Sequence, residues 1–302
     1  MRRRLIVAVA AAWIGLGAFG TWSYGHDYWA YRGFPPPHNP PGVTAGRTEH
    51  VSFFSPSLRQ RRSYDIYLPP GYAAATARGQ RLRVLYLLHG SPGQQILFFN
   101  AGRLGVALDT LISKRAVRPF LVVMPDGHDG TYRSDTEWAN TAHGAYESFV
   151  LDTVHAVDAR WPTRADRTAR AIAGNSEGAY GAINIALHHL DTFSVAQSWS
   201  GYFTQTRTGV YKGASPATLR AASPAAYVGA LRPQLSRYPL HAVLYGGRKD
   251  PGTRQLPGFA AALRAAGADV VSATYPGRHD WKLWRSQMPH MLRLLDVGMT
   301  AR

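Results

Sequence analysis

The chain has 302 residues, an apolar fraction of 45% and a formal charge of +16 carried mainly by Arg, which allows one large domain or two small ones around an ordinary core. It has no Cys, so disulfides, thiolate metal centres and a Cys nucleophile are excluded. The basic residues (Arg59, Arg61, Arg62, Arg78, Arg81, Arg83, Arg164, Arg167, Arg170) are scattered without interleaved aromatics; this disfavours a nucleic-acid partner and fits an anionic membrane surface or acidic envelope polymer as neighbour.

The N-terminus reads Met1-Arg2-Arg3-Arg4, then an uncharged, mostly apolar run over residues 5–24, with Trp22, Tyr24, Tyr28 and Trp29 at its far end. About 20 apolar residues suffice to cross a bilayer as a helix. The leading Arg residues would stay cytoplasmic and the aromatic cluster would sit at the opposite interface. Residues 1–30 are therefore expected to form a transmembrane signal-anchor. A cleaved signal peptide is the competing reading, because Ala18-Phe19-Gly20 resembles a cleavage site; either one exports the rest of the chain. Residues 31–44 include Phe-Pro-Pro-Pro-His-Asn-Pro-Pro-Gly at 34–42. Proline lacks the N–H that a helix or central strand needs, so this stretch reads as an extended spacer holding the remainder away from lipid.

Residues 45–302 form the expected globular domain. Residues 50–54 and 63–68 are short, rich in aromatic and β-branched residues, and separated by a basic turn, the pattern of a hairpin. Continuous apolar runs follow at 83–88, 120–124, 169–173, 193–199, 241–245 and 269–275. Continuous rather than alternating apolarity is expected of parallel strands covered on both faces. Helical stretches at 104–114, 145–159, 178–189, 258–266 and 281–295 lie between or after them. The fold class is thus α/β, a mainly parallel sheet with helices on both faces, whose active site should lie at the carboxyl ends of the strands.

Applied to this chain, that rule collects the chemistry at strand ends. Gly174-Asn175-Ser176-Glu177-Gly178 sits between an apolar strand and an Ala-rich helix. A Ser flanked by Gly two positions away on each side is what a nucleophile elbow requires, since the turn strains the Ser backbone and bulky neighbours would collide with strand and helix. A Ser hydroxyl needs an adjacent base, and the base needs a carboxylate to fix its tautomer. Ser176, Asp250 and His279 fall in the order Ser, acid, His, each after a strand. They are assigned as nucleophile, orienting carboxylate and general base. Asp126 also ends a strand but precedes the nucleophile, and Asp280 reads as a helix N-cap. An oxyanion hole requires two backbone N–H groups; those of Glu177 and Ser91 are the candidates, with His89 a structural His bonded to loop backbone. Asp135, Glu137 and Trp138 are placed on the pocket rim as candidate substrate contacts. Residues 202–237, with Tyr202, Phe203, Tyr211 and Tyr227, are expected to form a lid or cap that decides acyl-chain preference. No metal or other cofactor is expected: His188 and His189 are adjacent on a helix, and no His-x-x-x-His with a partnering acid occurs.

These residues resemble the putative-esterase family of α/β-hydrolases, which includes enterochelin esterase-like proteins, S-formylglutathione hydrolases and mycolyltransferases of the antigen 85 group. The likeness runs from about residue 50 to the end. It is carried by Leu87-Leu88-His89-Gly90, Met124-Pro125-Asp126-Gly127, Glu137-Trp138, Tyr146-Glu147-Ser148-Phe149, the elbow at 174–178, and His279-Asp280-Trp281-Lys282-Leu283-Trp284. Glu177 departs from the pattern, which commonly has an apolar residue after the nucleophile; it would narrow the acyl site, meet a cationic substrate group, or simply be favourable with the helix dipole at its position. The resemblance implies a serine ester hydrolase acting through an acyl-enzyme, which the N-terminal segment would place outside the cytoplasm, on an ester that includes lipid or envelope components among its candidates. Its alternatives are an acyltransferase delivering the acyl group to a sugar or lipid hydroxyl, and a non-catalytic binding protein that kept the fold.

Overall fold

The computed structural model describes residues 2–131 and 134–299, without the side chains of residues 2–8, 10, 11 and 26. The hairpin expected near the start of the domain forms as β1 (Arg47–Ser55) and β2 (Gln60–Leu68), with Val51 opposite Tyr64. The continuous apolar runs become β3 (Val84–Leu88), β4 (Leu121–Pro125), β5 (Arg170–Asn175), β6 (Val195–Trp199) and β7 (His241–Gly247), in which every residue is buried. The last strand, β8 (Asp269–Tyr275), has no fully buried residue, as suits an edge.

Together they make one eight-stranded sheet in the order β1-β2-β4-β3-β5-β6-β7-β8. Only the β1/β2 and β2/β4 pairs are antiparallel. The remaining pairs are parallel, which obliges the chain to cross over the sheet between strands and so places helices against it. Val84, Tyr86 and Leu88 of β3 face one apolar layer, while Leu85 and Leu87 face the other.

Six helices matter here: α1 (Arg2–Tyr31), α2 (Leu104–Ser113), α3 (Tyr146–Arg160), α4 (Glu177–His188), α5 (Leu256–Ala265) and α6 (Trp281–Gly298). Helices α3, α4 and α5 cover the first face and α2 and α6 the second. The stripe Phe149, Val150, Val154 and Val157 on α3 is buried, each such side chain contributing about 1.5–3 kcal/mol relative to exposure. The α/β reading of the sequence and the helices on both faces are therefore found.

The N-terminal region differs from the expectation. Among the described residues no helix is long and apolar enough to cross a membrane, so the expected span is without structural support. Much of its apolar first half, residues 4–8, 10 and 11, lies outside the described side chains. The proline-rich stretch is extended, yet it is no free spacer. The Phe34 ring lies 4.6 Å from the Arg285 guanidinium carbon. Asn39 Nδ2 donates to Asp109 Oδ2 at 2.8 Å, and Asp109 Oδ1 accepts from Gly46 N and Tyr67 Oη. A carboxylate on α2 with three polar contacts has overridden the looseness that the composition suggests.

Candidate active site

The elbow is formed by the steep passage from β5 into α4. Ser176 has φ 57° and ψ −122°, a left-handed conformation that an L residue adopts at a cost of order 1–3 kcal/mol and that surrounding structure must enforce. Ser176 N donates to Trp199 O at 3.0 Å, tying the strained residue to β6. Both flanking glycines are required by contact: a Cβ on Gly174 would lie 2.2 Å from Gly178 O, and one on Gly178 would lie 2.1 Å from Leu88 O.

Three strand ends bring the sequence-assigned residues together. His279 Nε2 lies 2.7 Å from Ser176 Oγ, and His279 Nδ1 lies 2.9 Å from Asp250 Oδ2. Asp250 Oδ1 accepts from Gly252 N at 2.9 Å. Burial alone would raise the Asp250 carboxyl, but bonds from His279, Gly252 and Ser200 outweigh it and hold the group below its usual range. It is thus kept as an acceptor for the imidazole N–H. Asp126 is spent on the His128 backbone N–H, and Asp280 caps α6 by accepting from Leu283 N at 3.0 Å. The arrangement can pass the Ser176 hydroxyl proton to His279 and hold the resulting imidazolium against Asp250.

Glu177 opens α4, where backbone N–H groups lack intrahelical partners, and Ser91 lines the same cavity as Ser176. Gly90 lets the Ser91 loop approach, since a Cβ there would lie 2.7 Å from Ser176 Cβ. His89 is buried; its Nε2 accepts from Gly127 N at 3.1 Å while Nδ1 faces Gly90 O at 3.2 Å. Accepting at Nε2 assigns the proton to Nδ1, and burial pushes this imidazole down to about 4. His89 is a neutral brace between two loops.

Behind the elbow the structure departs from the sequence reading. The Glu177 side chain turns away from the cleft, 4% exposed, and its Oε1 accepts from Thr136 N, Thr136 Oγ1 and Glu137 N at 2.9, 3.1 and 2.6 Å. Burial, then the neighbouring Glu137, push its carboxyl well above the ordinary range. It neither narrows an acyl site nor faces a substrate cation. Glu137 accepts from Tyr202 Oη at 2.6 Å and Gln205 Nε2 at 2.8 Å, and burial lifts it to about 7. Trp138 is fully buried, its indole donating to His89 O at 2.9 Å. Neither Asp135, Glu137 nor Trp138 lines the catalytic cavity; Glu137 and Trp138 brace the elbow instead, and Asp135 lies against Gly209.

The lid expectation is corrected in the same way. Residues 202–237 fold as short helices packed on α4: Tyr180 Oη donates to Ala222 O, Tyr227 Oη to Asn184 Oδ1, and Phe203 stacks on Phe259 of α5 at 4.0 Å. None of residues 202–237 lines the catalytic cavity. Two other adjacent polar residues do share a partner, since His188 Nδ1 and His189 Nε2 both reach Glu147 Oε1, at 3.1 and 2.9 Å. Among the described residues no set of three or more His, Cys, Asp and Glu is arranged to hold a metal ion.

The catalytic cavity has a volume of about 470 Å³. Besides Ser91, Ser176 and His279 its walls include Trp281 and Trp284, and also Tyr28, Arg32 and Phe34 from the N-terminal segment. The sequence reading missed these last three. Their only signal was Arg32-Gly33, a helix stop just before an aromatic residue.

A family model described as "Putative esterase" matches residues 55–295. An endo-1,4-beta-xylanase/feruloyl esterase of Xylanibacter ruminicola is 27% identical over 186 residues, 61% of this chain and 24% of that protein. An esterase of Mycobacterium tuberculosis is 30% identical over 156 residues, 51% of this chain and 32% of its own length. The chain thus spans about a quarter to a third of the length of these two relatives. A solved ferulic acid esterase superposes with a TM-score of 0.75 at 22% identity, covering 84% of this chain and 99% of that one, a likeness of fold.

Proposed function

The chain belongs to the putative-esterase family, and from that premise we propose that it is a serine carboxylic-ester hydrolase working through Ser176, His279 and Asp250. The observation that carries the reading is the relay of 2.7 Å from Ser176 Oγ to His279 Nε2 and 2.9 Å from His279 Nδ1 to Asp250 Oδ2. Ser176 Oγ attacks the ester carbon as His279 takes its proton, and the tetrahedral oxyanion is met by the N–H groups of Ser91 and Glu177. Collapse expels the alcohol, which receives the proton from His279, and leaves an acyl-enzyme. Water, deprotonated by the same imidazole, then releases the acid and restores Ser176.

The full chain should turn over p-nitrophenyl esters and be labelled by a fluorophosphonate, while Ser176→Ala loses both and stays folded. Retention of either by Ser176→Ala would falsify the assignment. Similar proteins named for feruloyl ester cleavage make methyl ferulate a substrate to include. The export reading belongs here too: Arg2, Arg3 and Arg4 before an apolar run support a domain outside the cytoplasm. In intact cells an external protease should reach the domain; protection until lysis would place it inside.

A further inference from the structure

The end of α1 enters the site. Beyond the catalytic cavity lies a second space of about 810 Å³, walled on one side by Trp22, Gly25 and Trp29 and on the other by Pro92, Ile96 and Leu97. The two spaces share Arg32, Pro92, Gly93, Gln94 and Leu97, so they adjoin along the end of the helix. Residues 22, 25, 29 and 32 recur at the spacing of one helical face. Between the two indoles a Cβ on Gly25 would meet nothing within 4 Å, which leaves the trough unfilled. Trp22, Trp29 and Ile96 are 64%, 56% and 38% exposed, apolar surface beside the one place where covalent chemistry is set up.

The wall is fixed in place. Arg32 and Gly33 end α1 with positive φ, the Arg32 guanidinium carbon lies 5.0 Å from the Trp29 ring centroid, and Phe34 sits on Arg285. Arg32 Nε is buried without a partner at the junction of the two spaces.

We propose that this trough is the chain-binding part of the substrate site, and that the substrate is a lipid ester whose aliphatic chain leaves the catalytic cavity past Arg32 and lies between α1 and residues 92–97. The inference rests on the esterase reading and adds the substrate class. Its occupant follows from adjacency to the Ser176 cavity and from walls of Trp, Pro, Ile and Leu, which reward removal of methylene groups from water.

The test is kcat/KM of the full chain on p-nitrophenyl acetate, butyrate, octanoate and decanoate and on methyl ferulate, each below its critical micelle concentration. A rise of about two- to fourfold per methylene is expected until the trough is filled. Gly25→Leu, which fills the trough and favours the helix, should lower the decanoate value at least tenfold and leave acetate and methyl ferulate unchanged. Trp29→Ala should flatten the chain-length dependence in the same direction. Turnover without chain-length selectivity, or losses equal across all esters, overturns the subsite alone. Absence of turnover of every ester overturns the esterase reading and the subsite with it.

Discussion

On the solvent side of Ser176 the His279 side chain is 37% exposed and faces an open cavity, whereas behind it Glu177 and Trp138 are 4% and 0% exposed and fully enclosed. The front is assembled from a few side chains at strand ends and has room for a substrate. The back is packed with an indole bonded to His89 O, the Glu177 carboxyl bonded to the loop at 136–137, and the Glu137 carboxyl bonded to Tyr202 and Gln205. This contrast shows where the cost of a reactive backbone is met. Ser176 holds φ 57° because the buried side leaves it no other place to go.

The first way to sharpen the contrast is to alter the front alone. Asp250→Asn keeps the shape but offers His279 the wrong partner, and an about 10⁴-fold fall in kcat is expected by analogy with tautomer-trapped serine hydrolases. Thermal melting should change far less; a variant that melts early would show that Asp250 is chiefly structural. Next comes the back. Trp138→Ala empties space against Gly127 and Gly181, whose Cβ positions would lie 2.4 and 2.9 Å from the ring, and removes the bond to His89 O. A loss of about 3–5 kcal/mol in unfolding free energy is expected, with activity falling only as the elbow loosens. Unchanged stability would refute the division of labour between the two sides.

The smallest effect is a pH dependence. Burial lifts Glu137 from 4.5 to about 7, so between those values the folded chain holds a proton that the unfolded chain has released. Its contribution to stability is therefore unimpaired below about pH 4.5 and declines as pH rises through 7. Glu137→Gln mimics the protonated group, retains an acceptor for Tyr202, and should flatten the fall in melting temperature between pH 5 and 7.5. Parallel curves for variant and parent would exclude Glu137 as its source.

Much of the architecture was readable because it depends on period and order. Continuous apolar runs specify two-sided burial, and the succession Ser176, Asp250, His279 follows strand ends that the same runs locate. The back of the elbow was not readable. Glu137 and Trp138 both adopt positive φ, 50° and 47°, conformations that their residue types do not favour, and this pair of twists turns Trp138 inward and delivers the Glu137 N–H to Glu177. The signal present was indirect: small residues at Gly127 and Gly181 leave a slot of indole size. The 202–237 segment was misread because aromatic, Ser- and Pro-rich stretches look like mobile covers, whereas here Tyr227 and Phe203 are spent on contacts with α4 and α5.

Phe34 against Arg285 and Asn39 against Asp109 have a practical corollary. A tether normally can be cut without touching the machine it holds. In this chain one of the fastened residues, Phe34, lines the reaction chamber together with Tyr28 and Arg32, so starting a shortened protein at Val43 would discard one of its walls along with the leash. Selectivity measured on such a fragment would describe a different enzyme.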